Sequence, residues 1–395
     1  MFSFFNIEIE GDKGYFVDLY RGCICRASLC NGKVEVMAEI PAPYMKRGLT
    51  YGVISKISNK YIIMPYRGDD ILEYDIEKNV FTEIQGLSGN HRGALYTRFM
   101  FCGKYKDMCY FVSQSYGGFI IYDMVTGRYK HLLHAQDVEK IFPQGNIGDA
   151  FANWEVISGC FIYQGSVFLT SPRANIILEV NLETEKIRQH IVGDSGWSYQ
   201  DISRDGKDFW ILQKKSGILV KWNYESGEAN EYTTHLSAIA DASLEYPFGF
   251  INCRDGKIEL YATSSSCNIK LNPLAGKDVE MIPVDGKEGV IFFQNIYPNG
   301  YAWMEWPYLG KLVGLHLRLP GESIERKVEL TASAKYKNKI RLDVLRKNFV
   351  QEYDGESLTD YITSLVSTHV RADTETKLEP KGSEIYKCIV SERRS

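Results

Sequence analysis

Short apolar stretches alternate with polar and glycine-containing turns along the first 330 residues. One clear unit has an apolar run at 61–65, a polar turn at 66–70, a second run at 71–76, a tight turn and a third run at 80–84. β-Branched and aromatic residues dominate the runs, and residues that favour turns separate them. The pattern therefore predicts short antiparallel strands joined by hairpins.

The same unit recurs, and an Asp or Asn closes its second run each time. These anchor residues are Asp75, Asp123, Asn181, Asn223 and Asn272, at successive spacings of 48, 58, 42 and 49 residues. A fourth strand per unit is assigned to the segments 49–57, 94–102, 154–162, 199–203 and 291–295. A period of about 40–50 residues with four strands is typical of a propeller blade.

Seven copies of the unit fit between residues 1 and 330, although the first and last are degenerate. We therefore expect an all-β fold, a β-propeller with seven four-stranded blades, and leave six or eight blades open. Propellers of this kind place strands side by side around a central channel.

Two of the copies share a motif in which Tyr-Asp is followed by a turn and an aromatic residue. Tyr74-Asp75 precedes Phe81, and Tyr122-Asp123 precedes Tyr129, while Gly117-Gly118 lies directly before a strand. These motifs resemble kelch-like repeats, and divergent bacterial β-propellers look equally similar. The closing aromatic is Phe or Tyr where kelch blades have Trp. The resemblance implies a fold and no particular activity, because unrelated functions share propellers.

The last 65 residues depart from the repeat. Basic side chains cluster at 335–347, and Ser357 is a suitable N-cap for a helix over 358–366. A second short helix is predicted over 384–391. We therefore expect a propeller at 1–330 and a C-terminal helical extension at 331–395 packed on it. The basic cluster is interpreted as a solvated face rather than a nucleic-acid patch.

Composition narrows the classes of function. The 395 residues include 26 Tyr, 19 Phe and 6 Trp, and the formal net charge is −4. Abundant aromatic residues exclude a disordered chain, and the negative charge argues against a nucleic-acid partner. No apolar run is long enough to span a membrane, and the N-terminus lacks the features of a secretion signal. We expect a cytoplasmic protein with neither nucleic-acid nor membrane partners.

Standard catalytic and metal-binding motifs are missing from the sequence. Cys23 and Cys25 would lie on one face of a strand, where they suit packing better than zinc, since no second cysteine pair appears. His131 and His134 are three residues apart at a predicted strand end, and they are a weak metal candidate. We expect no metal and no cofactor.

Loops on one face of the predicted propeller carry the candidate binding residues. Connections into each innermost strand, and those between second and third strands, converge there around the channel. Cations among them would attract carboxylate or phosphate groups, and aromatic rings suit sugars or peptide side chains. We predict a ligand- or protein-binding function for an anionic peptide, a glycan or a protein, through Tyr66, Arg67, Arg92, Tyr116, Trp154, Arg173, Trp197, Lys214 and Trp306.

The alternative is an enzyme of the lyase, hydrolase or isomerase type with its site at the channel mouth. A His hydrogen-bonded to a carboxylate facing an open cavity would favour this alternative. The long connection at 133–154 suits a cap over the channel. The acid–base candidates are His91, His235, Asp241 and Tyr246.

Overall fold

Seventeen parts of the chain are described in a computed structural model. They are residues 4, 6–18, 21–45, 51–66, 70–84, 99–114, 118–142, 156–214, 218–232, 248–254, 256–262, 267–273, 279–283, 290–297, 300–307, 314–318 and 326–332. The chain divides into two units, residues 1–348 and 349–395, and every described residue belongs to the first.

The described residues form seven β-sheets, numbered here in chain order. Sheet 1 contains β1 (Glu8–Glu10), β2 (Lys13–Asp18), β3 (Cys23–Ser28) and β4 (Lys33–Glu39). Sheet 2 contains β5 (Tyr51–Ile57), β6 (Lys60–Pro65), β7 (Ile71–Asp75) and β8 (Val80–Ile84). Sheet 3 contains β9 (Phe99–Tyr105), β10 (Met108–Ser113), β11 (Phe119–Asp123) and β12 (Arg128–Leu133). Sheet 4 contains β13 (Gly159–Tyr163), β14 (Ser166–Thr170), β15 (Ile176–Asn181) and β16 (Ile187–Ile191). Sheet 5 contains β17 (Tyr199–Asp205), β18 (Asp208–Gln213), β19 (Leu219–Asn223) and β20 (Ala229–Tyr232).

Two further sheets and two short helices complete the described structure. Sheet 6 contains β21 (Phe248–Arg254), β22 (Lys257–Ala262), β23 (Cys267–Leu271) and β24 (Val279–Pro283). Sheet 7 contains β25 (Val290–Tyr297), β26 (Gly300–Pro307), β27 (Gly314–Arg318) and β28 (Arg326–Glu329). A last strand, β29 (Thr331–Ala332), joins sheet 1. The helices are a 3₁₀ turn (Ala42–Tyr44) and α1 (Ala135–Ile141). No helix among the described residues combines the length and apolarity needed to cross a membrane.

Consecutive strands within each sheet are antiparallel neighbours, and the first strand of each sheet is the innermost. Strand β5 contacts β1 and β9, and β17 contacts β13 and β21, so the first strands of successive sheets lie side by side. Fourth strands such as β8 and β16 are largely exposed, whereas second strands such as β14 and β18 are almost entirely buried. Each sheet is therefore a blade that runs from the centre outward.

Apolar side chains pack between successive blades. Clusters join sheets 1 and 2, 2 and 3, 3 and 4, 4 and 5, and 5 and 6. Strand β25 of sheet 7 contacts β21 and β22 of sheet 6. Leu315 and Leu317 of sheet 7 share a cluster with Phe16 and Cys25 of sheet 1, which closes the ring. These contacts distribute the hydrophobic core among the gaps between blades.

The Asp and Asn residues that define the sequence period close the turns between third and fourth strands. The Asp75 carboxylate accepts the backbone N–H of Lys78 at 3.0 Å, and Asp123 accepts that of Thr126 at 3.0 Å. Asn181 and Asn223 do the same for residues two or three positions later. Backbone hydrogen bonds come first among the causes that lower the pKa of both Asp carboxyls. These Asx turns explain why short acceptor side chains recur at this position.

The predicted blade architecture is confirmed for six sheets, each of which has four strands. Sheet 1 differs because β29 adds a fifth strand, parallel to β4 at its outer edge. The innermost strands β5, β9, β13, β17 and β25 overlap the five segments assigned to them from the sequence, and all but β5 extend beyond those segments. Four of the innermost strands begin with an aromatic residue that is followed by a β-bulge. These residues are Tyr51, Phe99, Tyr199 and Phe248.

The predicted C-terminal helical extension finds no support. Thr331 and Ala332, its first two residues, are a strand of sheet 1, because the Thr331 N–H binds the Gly32 carbonyl at 2.8 Å. The helices predicted beyond them lie outside the described residues. The long connection after Leu133 begins with α1, and its residues 143–155 also lie outside the described part.

Candidate functional site

Antiparallel order places two sets of connections on the same face of the propeller, as the sequence predicts. The loops between second and third strands and those between blades both emerge there, opposite the tight turns. This is called the loop face below. Eight candidate residues lie outside the described part of the chain, namely Arg67, Arg92, Tyr116, Trp154, His91, His235, Asp241 and Tyr246.

Three of the predicted binding residues lie on loops that are tied together. The Tyr199 N–H binds the Ser171 carbonyl at 2.8 Å, and the Lys214 N–H binds the Ser198 carbonyl at 3.0 Å. The Asn175 side chain donates to the Gly193 carbonyl at 3.1 Å. These bonds link residues 171–175, 193–198 and 213–214, called the loop platform below, which carries Arg173, Trp197 and Lys214.

The side chains on the loop platform differ in exposure. Trp197 is half-buried, and its indole packs on the backbone of Gly193, where a Cβ would lie 2.0 Å from the ring. Arg173 is also half-buried, and its guanidinium donates to the Phe142 carbonyl at the end of α1 at 3.4 Å. Lys214 is only 4% exposed. Of the three predicted residues on the platform, Trp197 and Arg173 therefore have surface to offer a ligand.

Two other predicted binding residues lie apart from this platform. Tyr66 packs against the apolar cluster between sheets 2 and 3. Trp306 lies within strand β26, opposite Ile291, rather than in a loop as the sequence pattern suggested. Strand β26 extends to Pro307, so Trp306 and Pro307 are paired strand residues.

A second group of polar side chains lies along the innermost strands. The Asp201 carboxylate on β17 accepts the backbone N–H of Ile251 on β21 at 3.0 Å, and Ser203 accepts that of Cys253 at 2.9 Å. Ser158, next to β13, donates to the Tyr199 carbonyl at 2.8 Å. Each bond satisfies a backbone group on the free edge of the next blade's inner strand.

Among these polar side chains of the innermost strands, Asp201 has a carboxyl group with a strongly shifted pKa. Burial raises the pKa of Asp201 to about 7, although hydrogen bonds from the Ile251 and Ile202 backbone oppose the shift. A Cβ on Gly159 would lie 2.5 Å from the Asp201 carboxylate, so glycine leaves room for the acid. Sequence reasoning assigned 199–203 to an inner strand without singling out its acid. The available signal was Asp201 alternating with Ser203.

A histidine–carboxylate pair occurs between sheets 4 and 5, away from the loop face. Glu179 on β15 accepts from the His190 ring at 2.9 Å, from the Tyr224 hydroxyl at 3.1 Å and from the Ser166 hydroxyl at 2.9 Å. Burial alone would raise the pKa of Glu179, but these hydrogen bonds outweigh it and lower the pKa. Glu179 is 6% exposed, and none of the predicted acid–base residues belongs to this group. A fully hydrogen-bonded carboxylate of this kind joins two blades.

Metal ligation has no site in the described part of the chain, where no group of three or more His, Cys, Asp or Glu side chains could hold an ion. His131 and His134 stack with ring centroids 4.8 Å apart, and His134 is the N-cap of α1. Cys23 and Cys25 are buried with their sulfur atoms 3.7 Å apart. The two cysteines therefore pack within the fold, whereas His134 is exposed.

Comparison with known proteins identifies the fold. No family model matches the chain. No curated protein matches it either. Among solved structures, virginiamycin B lyase from Staphylococcus aureus is similar, at 12% identity over 75% of this chain and 89% of that chain, with a TM-score of 0.50. BamB from Moraxella catarrhalis has 11% identity over 75% of this chain and 80% of that chain, with a TM-score of 0.46.

A third similar structure is YCF48 bound to D1 peptide, at 9% identity over 71% of this chain and 81% of that chain, with a TM-score of 0.42. At 12% identity the likeness to the lyase shows the fold alone and carries no function. The kelch-type character of the repeats stays a prediction. Sheet order, strand count and the likeness to the lyase agree on one conclusion, that the chain is a divergent β-propeller.

Proposed function

We propose that this propeller is a binding module that recognises a peptide or protein segment on its loop face. The loop platform supports the proposal more than any other described feature. Its three loops come from two blades and are tied by backbone hydrogen bonds, so Trp197 and Arg173 are held on a rigid support. Rigid presentation lowers the entropy cost of binding.

The chemistry of these two side chains suits a peptide. Trp and Arg are enriched among residues that dominate binding energy at protein interfaces. The indole offers an apolar face, and a guanidinium can engage a carboxylate. An anionic peptide is therefore the ligand class we propose for the platform, with the remaining candidates Tyr66, Arg67, Arg92, Tyr116, Trp154 and Trp306 extending the surface.

The test is selection of ligands followed by substitution. A phage-displayed library of 12-residue peptides would be selected on the immobilised protein, and the best peptide titrated by calorimetry against wild type and Trp197→Ala. Loss of a central aromatic contact is expected to weaken binding at least tenfold, about 1.4 kcal/mol. Arg173→Ala is expected to weaken binding of acidic peptides by a similar factor.

Matched controls come from exposed residues elsewhere. Ile191, 77% exposed on the outer strand β16, is changed to Ala, and the exposed Arg128 at a turn on the opposite face is changed to Ala. Both controls should leave the dissociation constant within twofold, and thermal unfolding should confirm that each variant is folded. Failure to enrich any peptide, or unchanged binding by Trp197→Ala, would remove the platform from the function.

The enzymatic alternative keeps its candidates His91, His235, Asp241 and Tyr246 as predictions. No contact among the described residues favours it at the loop face, because the described histidine–carboxylate pair, Glu179 with His190, lies between two blades. Binding is therefore the function that the described geometry supports best.

A further inference from the structure

Arg204 lies near the end of β17, on the face opposite the loop face, and stacks on an aromatic ring of the preceding blade. Its guanidinium carbon is 3.4 Å from the centroid of the Tyr163 ring and 5.6 Å from that of Phe209. Tyr163 ends β13, so the stack joins two innermost strands beside their tight turns. Face-on stacking of this kind is a favourable cation–π geometry.

The guanidinium has no anionic partner among the residues that the structure describes. Its Nε atom is buried without a hydrogen-bond acceptor there. Two other arginines differ in their ion pairing, since Arg21 pairs with Asp18 at 2.7 Å and Arg26 with Glu35 at 2.7 Å. A buried donor without an acceptor is costly. This atom is closed to solvent, so a ligand would meet the other N–H groups of the half-buried side chain.

Two nearby acids are engaged elsewhere. Asp208, across the turn from Arg204, pairs with Lys221 at 2.9 Å and accepts from the Asn223 amide at 3.2 Å. Glu179 is occupied by His190, Tyr224 and Ser166. Arg204 is therefore a half-buried cation to which the described residues assign no counter-charge.

The two rings near this cation, Tyr163 and Phe209, belong to a larger aromatic group. Phe209 lies at the centre of this group, with its centroid 6.0 Å from Tyr163, 6.2 Å from Phe161 and 6.1 Å from Tyr224. Phe161, Tyr163 and Tyr224 are half-buried, whereas Phe209 is fully buried. Half-buried rings next to an arginine provide apolar area beside a charge, a combination common at protein-binding sites.

The geometry favours a carboxylate over a phosphate. A ring-stacked guanidinium leaves its edge N–H groups free, and their fork matches the two oxygens of a carboxylate. A phosphate dianion would be repelled more strongly than a carboxylate by Asp205, which follows Arg204 directly in the chain. The aromatic surroundings also suit the side chains of a peptide better than they suit a small hydrated anion.

We propose that Arg204 and the adjoining rings of Phe161, Tyr163 and Tyr224 form a second binding site, which takes a carboxylate-bearing peptide segment on the face opposite the loop platform. The carboxylate comes from an Asp or Glu side chain or from a chain end. This site is independent of the function proposed for the loop face, because no platform residue contributes to it.

The experiment uses the full chain and a defined probe. Twelve-residue peptides displayed on phage are selected on wild type and, in parallel, on Arg204→Gln. Peptides enriched only by wild type should carry Asp or Glu, and Arg204→Gln should weaken their binding in calorimetry at least tenfold. Arg204→Lys keeps the positive charge without the forked N–H groups of the guanidinium, and it should weaken binding of these peptides about five- to tenfold. Lys207→Ala, an exposed cation in the adjoining turn, is the matched control and should change binding less than twofold.

Two further measurements distinguish a carboxylate ligand from a phosphate, and binding at this site from binding at the loop face. Inorganic phosphate at millimolar concentration should not displace the selected peptide, and displacement by it would overturn the choice of a carboxylate. Trp197→Ala should leave these peptides bound, whereas loss of their binding would move them to the loop face. If Arg204→Gln is folded and selects the same peptides as wild type, or if the enriched peptides are neutral, the site does not exist. Tyr163→Leu provides an independent check, because removal of the stack should weaken the same peptides.

Discussion

The Asp201 carboxylate of one blade accepts the backbone N–H of Ile251 in the next blade at 3.0 Å. The relationship is repeated by Ser203 with Cys253 at 2.9 Å, and by Asn6, whose amide exchanges two hydrogen bonds with the Ile54 backbone at 2.7 and 2.8 Å. An innermost strand has one free edge, and unpaired edge groups invite unwanted pairing. Side chains of the preceding blade satisfy these groups and set the spacing between blades.

The titration of Asp201 is expected to make stability depend on pH. The pKa of Asp201 is raised to about 7, whereas an unfolded Asp titrates near 4. Because the folded protein retains this proton after the unfolded chain has released it, the free energy of unfolding falls as the pH rises from about 4 to about 7. Burial also raises the pKa of the neighbouring Cys160 and Cys253 thiols, so both stay protonated over this range.

Asp201→Asn tests this dependence, because Asn can still accept the Ile251 N–H and does not titrate. Urea unfolding at pH 5 and pH 8 should show wild type losing about 2–4 kcal/mol more than the variant over that interval. Ser203→Ala is the control and should cost about 1 kcal/mol equally at both pH values. Identical pH profiles for wild type and Asp201→Asn would rule out a buried, titrating Asp201.

Closure of the ring depends on a close approach at Gly32. This residue has a φ of +72°, and a Cβ on it would lie 1.7 Å from the Glu329 carbonyl oxygen. Gly32→Ala must therefore both strain the backbone and push β29 from the edge of β4, at a cost of about 2–4 kcal/mol. Gly227 has a φ of +75° with no atom within 4 Å of its Cβ position, so Gly227→Ala should lose only about 1–2 kcal/mol. Equal losses in denaturant unfolding would show that β29 does not constrain the ring.

The Glu179 network is expected to hold sheets 4 and 5 together. Glu179→Gln turns an acceptor for three donors into a partial donor, and should lower the free energy of unfolding by about 1–3 kcal/mol at pH 7. The pKa of Glu179 is lowered in the folded protein. Wild type is therefore more stable than Glu179→Gln at pH values above the unfolded pKa near 4, and this difference in stability disappears as the pH falls through the pKa of the folded protein. Unfolding measured at pH 7 and pH 3 checks this.

The exposed Glu231 on β20 provides the comparison, since Glu231→Gln should change stability by less than about 0.5 kcal/mol. A Glu179→Gln effect of the same size at pH 7 would mean that the network contributes nothing to the packing of the two blades.

Local chemistry explains which parts of the fold could be predicted. Asp75 and Asp123 bind backbone groups two or three residues away, so their recurrence in the sequence already identified the turns and the period. The fifth strand of sheet 1 could not be anticipated, because Thr331 binds Gly32 across about three hundred residues of chain. Only closure of the ring brings them together.

The candidate site was harder to predict for the same reason. Lys214 lies in a Lys-Lys turn typical of an exposed loop, yet it is buried where its loop meets that of Ser198. Arg204 and Tyr163 read as ordinary strand residues, and their stack exists only because adjacent blades pack together. Asp201 likewise depends on a backbone group fifty residues ahead. Contacts between blades leave no periodic signal in the sequence of either blade.

Hydrogen exchange with a bound peptide tests the central claim of binding on the loop platform most directly. The peptide is the tightest one selected with the Arg204→Gln protein, which lacks the second site. We predict slower amide exchange in residues 171–175 and 193–198 when the peptide is added, with the outer strands β16 and β20 unchanged. Slower exchange confined to the outer strands or to the turns of the opposite face, with no change in the platform, would contradict the account.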